Sequence, residues 1–482
     1  MGIISRLPNV IDRAREIAES AKKADGTPFV RREIIREPKN MLALGDNLGF
    51  IAWLLREKHL AGAVQLVYLD PPFFSKADYG AEIKLSVRDG IKVPAIRQTA
   101  YRDTWENGME EYLTDLAARL ILIRELLSDE GCVWVHLDHH ATHYVRVLLD
   151  EIFGEKNFVN EVIWTYKSGG ATKRSFAKKH DNLLFYAKSP KYYFKAQQEI
   201  SYNRGYKPYR FKGVKEYRDE TGWYTMVNKK DVWTIDMVGR TSAERTGYAT
   251  QKPESLMRTI LESCTREGDI VCDFYCGSGT MPAAAESMGR RWICCDIGRL
   301  AAINTHKRLV TLGASYEFLE TEEEAESKKE QGVLRADVRI EELPLTDKKR
   351  LSITLTGYEP ASLKNIPVEE KYLPVIRKVI RTDSLALIDF WSADWSEGDQ
   401  TQPENTSAPG GEPAPDAAAK GSSGYAPRVW FCREGRHLEL SYETLADRIE
   451  TVTIKGVDIF GNGSTIAIVC QQNKEPAQSH RT

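Results

Sequence analysis

Asp70-Pro71-Pro72-Phe73 follows the apolar run VQLVYL, and the order of residue types is chemically pointed. Two successive prolines fix φ and remove two N–H donors, so the nearby carbonyls stay available as acceptors. The Asp70 carboxylate beside them completes a cluster that only accepts hydrogen bonds. Such a cluster suits a group with two N–H bonds to give, namely an exocyclic amine. In adenine or cytosine the lone pair of that amine is delocalised into the ring and is a poor nucleophile. Acceptors on both hydrogens favour the pyramidal geometry from which it can attack. The ring of Phe73 offers a stacking face for an extruded base, worth ~1–3 kcal/mol. A turn capping a strand would use the same Asp-Pro-Pro.

The second cluster is Asp273-Phe274-Tyr275-Cys276-Gly277-Ser278-Gly279-Thr280, between a strand-like and a helix-like segment. Gly277 and Gly279 let the backbone approach a ligand closely at a helix start. The third glycine of a dinucleotide fingerprint is missing. The next strand-like run, RWICCD, ends in Asp296, where a carboxylate can take both hydroxyls of a ribose. This layout suits an adenosine-bearing ligand without a pyrophosphate, and S-adenosylmethionine fits that description. Lys252 precedes a helix and the glycine loop, placed to hold a ligand carboxylate or simply to be solvated. Asp46 in GDN either accepts from an adenine amine or caps the following helix.

These residues need a scaffold, and the chain alternates accordingly. MLALGDNL, FIAWLLREKHL, AVQLVYLD, EEYLTDLAARLILIRELLS, CVWVHLD and ATHYVRVLLDEIFG read as successive strands and helices, as do IVCDFY, MPAAAESMG and RWICCDIG later. The continuous apolar strands predict a doubly wound α/β sheet, Rossmann-like, with ligands at the carboxyl ends of its strands.

A basic segment interrupts the alternation. Residues 161–250 hold 18 Lys plus Arg against 9 Asp plus Glu, and 17 of the 46 aromatic residues, in a chain of net charge −2. Such a segment is what a phosphate-tracking, base-stacking surface requires, although a solvated face on a small β-rich insert would read the same way. The organisation expected is a helical arm over 1–38, catalytic α/β segments over 39–160 and 251–335, a target recognition region over 161–250, and a β-rich domain over 336–482. Within the last, 398–427 is rich in Gly, Pro, Ser and Ala and reads as a disordered loop. The eight cysteines form no C-x-x-C pair and read as buried reduced thiols. No apolar run reaches membrane-spanning length and no export signal is visible, so a cytoplasmic protein is expected.

Taken together, LGDNL, YLDPPFF, YRDTWENGMEEYLTDLAARLILIRELLSDEG, GEKNFVNEVIW, HDNLLFYAKS, QKPESLMRTIL, DFYCGSGT and RWICCDIG resemble, in that order, the β-class amino-methyltransferases of DNA. The likeness is greatest to the modification subunits of type III restriction systems and their stand-alone relatives. In that class the catalytic Asp-Pro-Pro-Tyr/Phe precedes the cofactor loop, with target recognition between them. Here Asp70 precedes Asp273 by 203 positions, and the basic segment falls between.

The resemblance implies transfer of a methyl group from S-adenosylmethionine to adenine N6 of duplex DNA. Asp70, Pro71, Pro72 and Phe73 handle the base. Lys252 and the 273–280 loop (Asp273, Tyr275, Gly277, Ser278, Gly279, Thr280) take the methionine end, Asp296 the ribose and Asp46 the adenine. No metal is implied. Tyr275 replaces the commoner phenylalanine, and Met281 follows Thr280 where a second threonine is usual. Cytosine N4 is the alternative target, for which relatives more often carry Ser in place of Asp70. A non-catalytic DNA-binding subunit is a third reading, against which stand the retained Asp70 and glycine loop. Expected partners are duplex DNA, a second copy of the chain, and a restriction endonuclease subunit, since no G-x-x-x-x-G-K-[ST] occurs here. The tail, IKGVDIFGNGS, resembles an extension of some relatives, immunoglobulin-like by strand count.

Overall fold

The computed structural model describes residues 2–23, 29–83, 85, 87, 93–167, 172–321, 332–344, 346–360, 363, 368–396, 425–433, 437–447 and 449–470. Most of the loop expected at 398–427 lies outside these residues. The chain divides into two compact units. The first comprises Met1–Phe29, Asn40–Tyr79 and Ala100–Leu312, and the second Val30–Lys39, Gly80–Thr99 and Gly313–Thr482.

In the first unit the strands are β1 (Asn40–Leu44), β2 (Val64–Leu69), β3 (Leu127–Leu137), β4 (Phe158–Thr165), β5 (His180–Ala187), β6 (Gln198–Tyr202), β7 (Glu216–Arg218), β8 (Trp223–Asn228), β9 (Val232–Thr234), β10 (Ile270–Asp273) and β11 (Arg291–Asp296). Eight of them run in the order β1-β11-β10-β2-β3-β5-β4-β9 in one sheet. From β1 to β3 all neighbours are parallel, whereas β5 is antiparallel to both β3 and β4. Every residue of β2 is buried, as its unbroken apolar run requires of a strand covered on both faces.

The helices are α1 (Leu7–Lys23), α2 (Asn47–Arg56), α3 (Met109–Leu126), α4 (Thr142–Phe153), α5 (Glu254–Cys264), α6 (Thr280–Ser287) and α7 (Arg299–Thr311). Their placement follows from handedness. The chain leaves β2, runs through α3 and returns as β3 on one side. It leaves β10, runs through α6 and returns as β11 on the other. Right-handed crossovers in opposite directions put α3 and α6 on opposite faces, which makes the sheet doubly wound. The direction reverses between the neighbouring strands β2 and β10. A crevice for ligands opens at the carboxyl ends of two such strands.

β6, β7 and β8 form a separate antiparallel sheet in the order β7-β8-β6. Its entry and exit are tied together, for the Lys229 N–H donates to the Gln197 carbonyl at 2.8 Å. Gln197 in turn is anchored to α5 through the Thr259 carbonyl and Ser263 Oγ, at 2.6 and 2.8 Å.

The N-terminal arm is helical only in part. α1 buries Val10, Ile11, Ala14 and Ala18, but Phe29–Ile35 is a strand that pairs with Tyr316–Thr321 in the second unit. Phe29, Glu33 and Ile35 are its buried positions, and their even spacing is the period of a strand rather than of a helix. Among the described residues the second unit also holds seven strands paired antiparallel: Val333–Glu342, Lys349–Glu359, Ile388–Ser396, Val429–Cys432, Ser441–Ala446, Thr451–Asp458 and Gly463–Val469. They pair as first-second-fifth and fourth-third-sixth-seventh, the arrangement of an immunoglobulin-type sandwich, around buried Leu351, Ile353, Trp391, Val452 and Ile454. One helix, α8 (Leu373–Asp383), lies between the second and third strands. Reading this region as β-rich overlooked it, although Ile376, Val379 and Asp383 bury one face at helical spacing.

Candidate active site

The two clusters separated by 203 positions in the chain meet on neighbouring strands. Asp273, the last residue of β10, pairs with Tyr68 of β2, and Asp70 lies two residues further on, just past the end of β2. A small cavity opens there. Asp70, Lys252, Asp273, Tyr275, Gly277, Ser278 and Thr280 all line it. Asp296 stands directly behind, its Oδ2 accepting from the Gly277 N–H at 2.9 Å and its Oδ1 from Gly298 at 2.8 Å.

Asp70 has one committed oxygen and one that is not. Its Oδ2 takes the ammonium of Lys252. Its Oδ1 is buried and makes no hydrogen bond among the described residues; His136 Nδ1 stands 3.5 Å away. A buried acceptor left without a donor is unfavourable by ~1–3 kcal/mol, and an incoming N–H would remove that penalty. Pro71 is buried, while Pro72 and Phe73 are half-exposed. The Phe73 ring lies 5.5 Å from both the His136 ring and the Lys252 ammonium. The turn that follows is shaped by buried Asp103, which accepts from the Phe74 and Ser75 N–H groups at 3.0 and 2.6 Å. This grip holds Phe74 at φ +63°, a conformation that a bulky side chain rarely adopts unaided.

Beneath Asp70 runs a buried polar chain. The Tyr68 hydroxyl bonds His136 Nδ1 at 2.9 Å, and His136 Nε2 bonds Asp181 at 3.2 Å. Burial alone would raise the Asp181 carboxyl. The hydrogen bond and charge of His136, together with the charge of Lys252, outweigh it and hold the group below its usual value. The sequence reading passed over His136 and Asp181, and the available signal was a titratable residue inside each of the apolar runs CVWVHLD and HDNLLFY.

The glycine loop joins β10 to α6. Gly277 and Gly279 sit at φ +50° and +72°, so both positions need glycine. A Cβ on Gly279 would fall 2.8 Å from Thr305 Oγ1. The Tyr248 ring packs 3.3 Å from the same point on Gly277, so it flanks the loop. Asp273 is the electrostatic centre of the cavity. Burial drives its carboxyl well above the usual range, and the charges of Asp70 and Asp296 add to the effect, against a hydrogen bond from the Tyr275 N–H and the charge of Lys252. Burial likewise raises Asp296 to about 6, opposed by N–H bonds from Gly298, Gly277 and Ile297.

S-adenosylmethionine fits this donor set. Its ammonium is the charge that buried Asp273 lacks. Lys252 has engaged Asp70 and the Thr250 carbonyl, at 3.3 Å for the latter, so one of its three N–H donors is left for a carboxylate. Asp46 is placed differently. It caps α2 through the Gly49 N–H at 2.9 Å and pairs with Arg119 at 2.8 Å, and it is not among the residues that line the cavity.

The basic 161–250 segment supplies β4 to β9. Tyr206, Tyr209 and Phe211 are among its exposed aromatic residues. Cys132, Cys264, Cys272, Cys276, Cys294 and Cys295 are buried free thiols, while Cys432 and Cys470 are half-buried. No helix among the described residues is long and apolar enough to cross a membrane.

A family model described as DNA methylase matches residues 64–302, the span that contains both clusters and the basic segment. The type II methyltransferase M.EcaI of Enterobacter cloacae is 26% identical over 343 residues, covering 59% of this chain and 72% of that protein. The EcoP15I Mod subunit of an Escherichia coli type III restriction-modification enzyme is 27% identical over 172 residues, 33% of this chain and 26% of the subunit. Among solved structures, the cytosine-N4-specific PvuII DNA methyltransferase aligns with a TM-score of 0.39 at 13% identity, over 58% of this chain and 90% of that one.

Proposed function

We propose that this chain, which the DNA methylase family model matches over residues 64–302, methylates N6 of adenine in duplex DNA with S-adenosylmethionine as donor. The observation that carries this reading is Asp70, which lines the cavity built by the glycine loop of the next strand and has a buried Oδ1 without a hydrogen bond among the described residues. The donor supplies an electrophilic methyl on a sulfonium. The protein positions the nucleophile. Asp70 Oδ1 and the Pro71 carbonyl accept the two amine hydrogens, Phe73 stacks on the ring, and Lys252 orients Asp70 through its other oxygen. Positioning supplies much of the rate. Asp70 need not be a strong base, because the amine becomes acidic once it is methylated.

An amine inside a duplex cannot reach this turn, so the adenine must leave the stack. Asp70 favours adenine over cytosine on the resemblance already described. Asp46 remains a candidate for the cofactor's adenine, and its bond to Arg119 orients it. A restriction endonuclease subunit and a second copy of the chain are the protein partners this reading adds. Digesting DNA from cells that express the chain and separating the nucleosides tests the target. N6-methyladenine is expected, and N4-methylcytosine in its place would overturn the assignment.

A further inference from the structure

Phe176 is 97% exposed, the highest value among the large hydrophobic residues described. It sits in Lys173-Arg174-Ser175-Phe176-Ala177-Lys178-Lys179, where four of seven residues are cationic. Single exposed apolar side chains are common on protein surfaces, but a fully exposed phenyl set among four cations raises the question of what covers it. The place of this loop in the fold indicates what.

Its end is pinned to the catalytic edge of the sheet. The Lys178 ammonium donates to His139 Nε2 at 2.6 Å, and the Lys179 carbonyl accepts from the Tyr166 N–H at 3.1 Å. His139 lies three residues beyond His136, whose ring stands 3.5 Å from Asp70 Oδ1. Even fully extended, that is at most about 10 Å of chain from the residue beside Asp70 Oδ1. His140 stacks beside His139 with ring centres 3.9 Å apart, and Asp138 bonds the His140 ring at 2.8 Å. His139 and His140 are each about two-fifths exposed. Asp138, His139 and His140 have donor atoms near enough to share a metal ion. The ammonium of Lys178 already occupies His139, however, and would repel a divalent cation. The cluster is better matched to an anion.

We propose that the 172–179 loop is the strand-opening element: Phe176 enters the base stack beside the target adenine, while Lys178 and His139 hold the adjacent phosphodiester. This rests on the proposed methylation of an extruded base, and the partner is duplex DNA. A ring with a flat apolar face replaces the stacking lost when a base leaves, and the cations neutralise the backbone drawn towards the sheet. Burial lowers the His139 imidazole, Asp138 opposes it, and His140, Lys178 and His180 lower it further, so the ring resists protonation until an anion arrives.

The test uses Phe176→Ala and Lys178→Gln in the full chain, on duplexes carrying the methylated motif. The target adenine is either paired or set opposite an abasic site. Phe176→Ala should slow methylation of the paired duplex by about tenfold or more, the change expected from one lost base–aromatic stack. It should recover to near wild-type rate opposite the abasic site, where no strand opening is needed. Lys178→Gln should lower the salt slope of DNA binding by about 1. S-adenosylmethionine affinity should be unchanged in both variants, which reports an intact fold. Equal impairment of Phe176→Ala on the two duplexes, or none on either, would overturn the proposal. So would stoichiometric Zn²⁺ uptake that His139→Gln abolishes, since it would make the cluster a cation site. A wild-type chain that methylates neither duplex instead removes the reading beneath it.

Discussion

Asp70→Asn is the sharpest perturbation of the catalytic turn, because shape is kept while charge and acceptor count change. In the native site Oδ2 faces the Lys252 ammonium, and Oδ1, buried beside His136, makes no hydrogen bond among the described residues. An asparagine must keep its one oxygen towards Lys252, since turning the amide nitrogen there would set donor against donor. Its nitrogen then points at the position of the adenine amine. Losing one preorganised acceptor costs ~3–4 kcal/mol of transition-state stabilisation, and the opposed buried donors add ~1–3 kcal/mol. The sum predicts a single-turnover rate lower by roughly a thousandfold to a hundred-thousandfold, at ~1.4 kcal/mol per factor of ten. Labelled methyl transfer under single-turnover conditions reads this directly, with calorimetry reading S-adenosylmethionine affinity in parallel. The affinity should change by no more than about tenfold, since Asp273 and the glycine loop are untouched. A variant that keeps a tenth of the rate, or one whose defect lies wholly in cofactor binding, refutes the reasoning.

The pH dependence of cofactor affinity follows from Asp296. Its folded value, about 6, lies above the ordinary aspartate value. The group therefore stabilises the fold at low pH and loses that contribution as pH rises through about 6, whereas the ionised form is the one that accepts from a ribose diol. S-adenosylmethionine dissociation constants should weaken as pH falls through the Asp296 value, by about tenfold per unit for that group, and Asp296→Asn should remove that limb while leaving the one due to Asp273. Gly279→Ala forces a Cβ to within 2.8 Å of Thr305 Oγ1 at φ +72°. It should destabilise by about 1–3 kcal/mol, visible as a lower melting temperature and weaker cofactor binding, and an unchanged melt would contradict the clash. His136→Asn leaves Asp181 buried beside a shorter side chain, and should slow transfer while cofactor affinity holds; equal losses in both would assign His136 to the fold alone.

The edge of the sheet that carries the candidate site was legible because its strands are unbroken apolar runs that end in acidic residues. VQLVYL ends at Asp70, IVCD at Asp273 and RWICCD at Asp296, so locating each strand end located the residue. What sequence order hides is adjacency across the sheet. His136 and Asp181 reach Asp70 only because β3 and β5 lie beside β2, and nothing local in CVWVHLD announces that neighbour. Asp103 was likewise passed over, since its role is to cap a turn 28 residues upstream. The strand at Phe29–Ile35 was missed because a helix-forming arm precedes it without a break in charge texture. Helix α8 was missed because its surroundings are strands.

The bond between Gln197 and Lys229 has a consequence for how such a protein diversifies. The β6–β8 module departs and returns at a neck where its entry and exit are bonded to each other and Gln197 is fixed to α5. Residues inside the clasp can lengthen, shorten or be exchanged with only a slow change in closure entropy, about 0.6 kcal/mol per doubling of length. New reading surfaces can therefore be grafted at this doorway, while the strands that carry Asp70 and Asp273 keep their register.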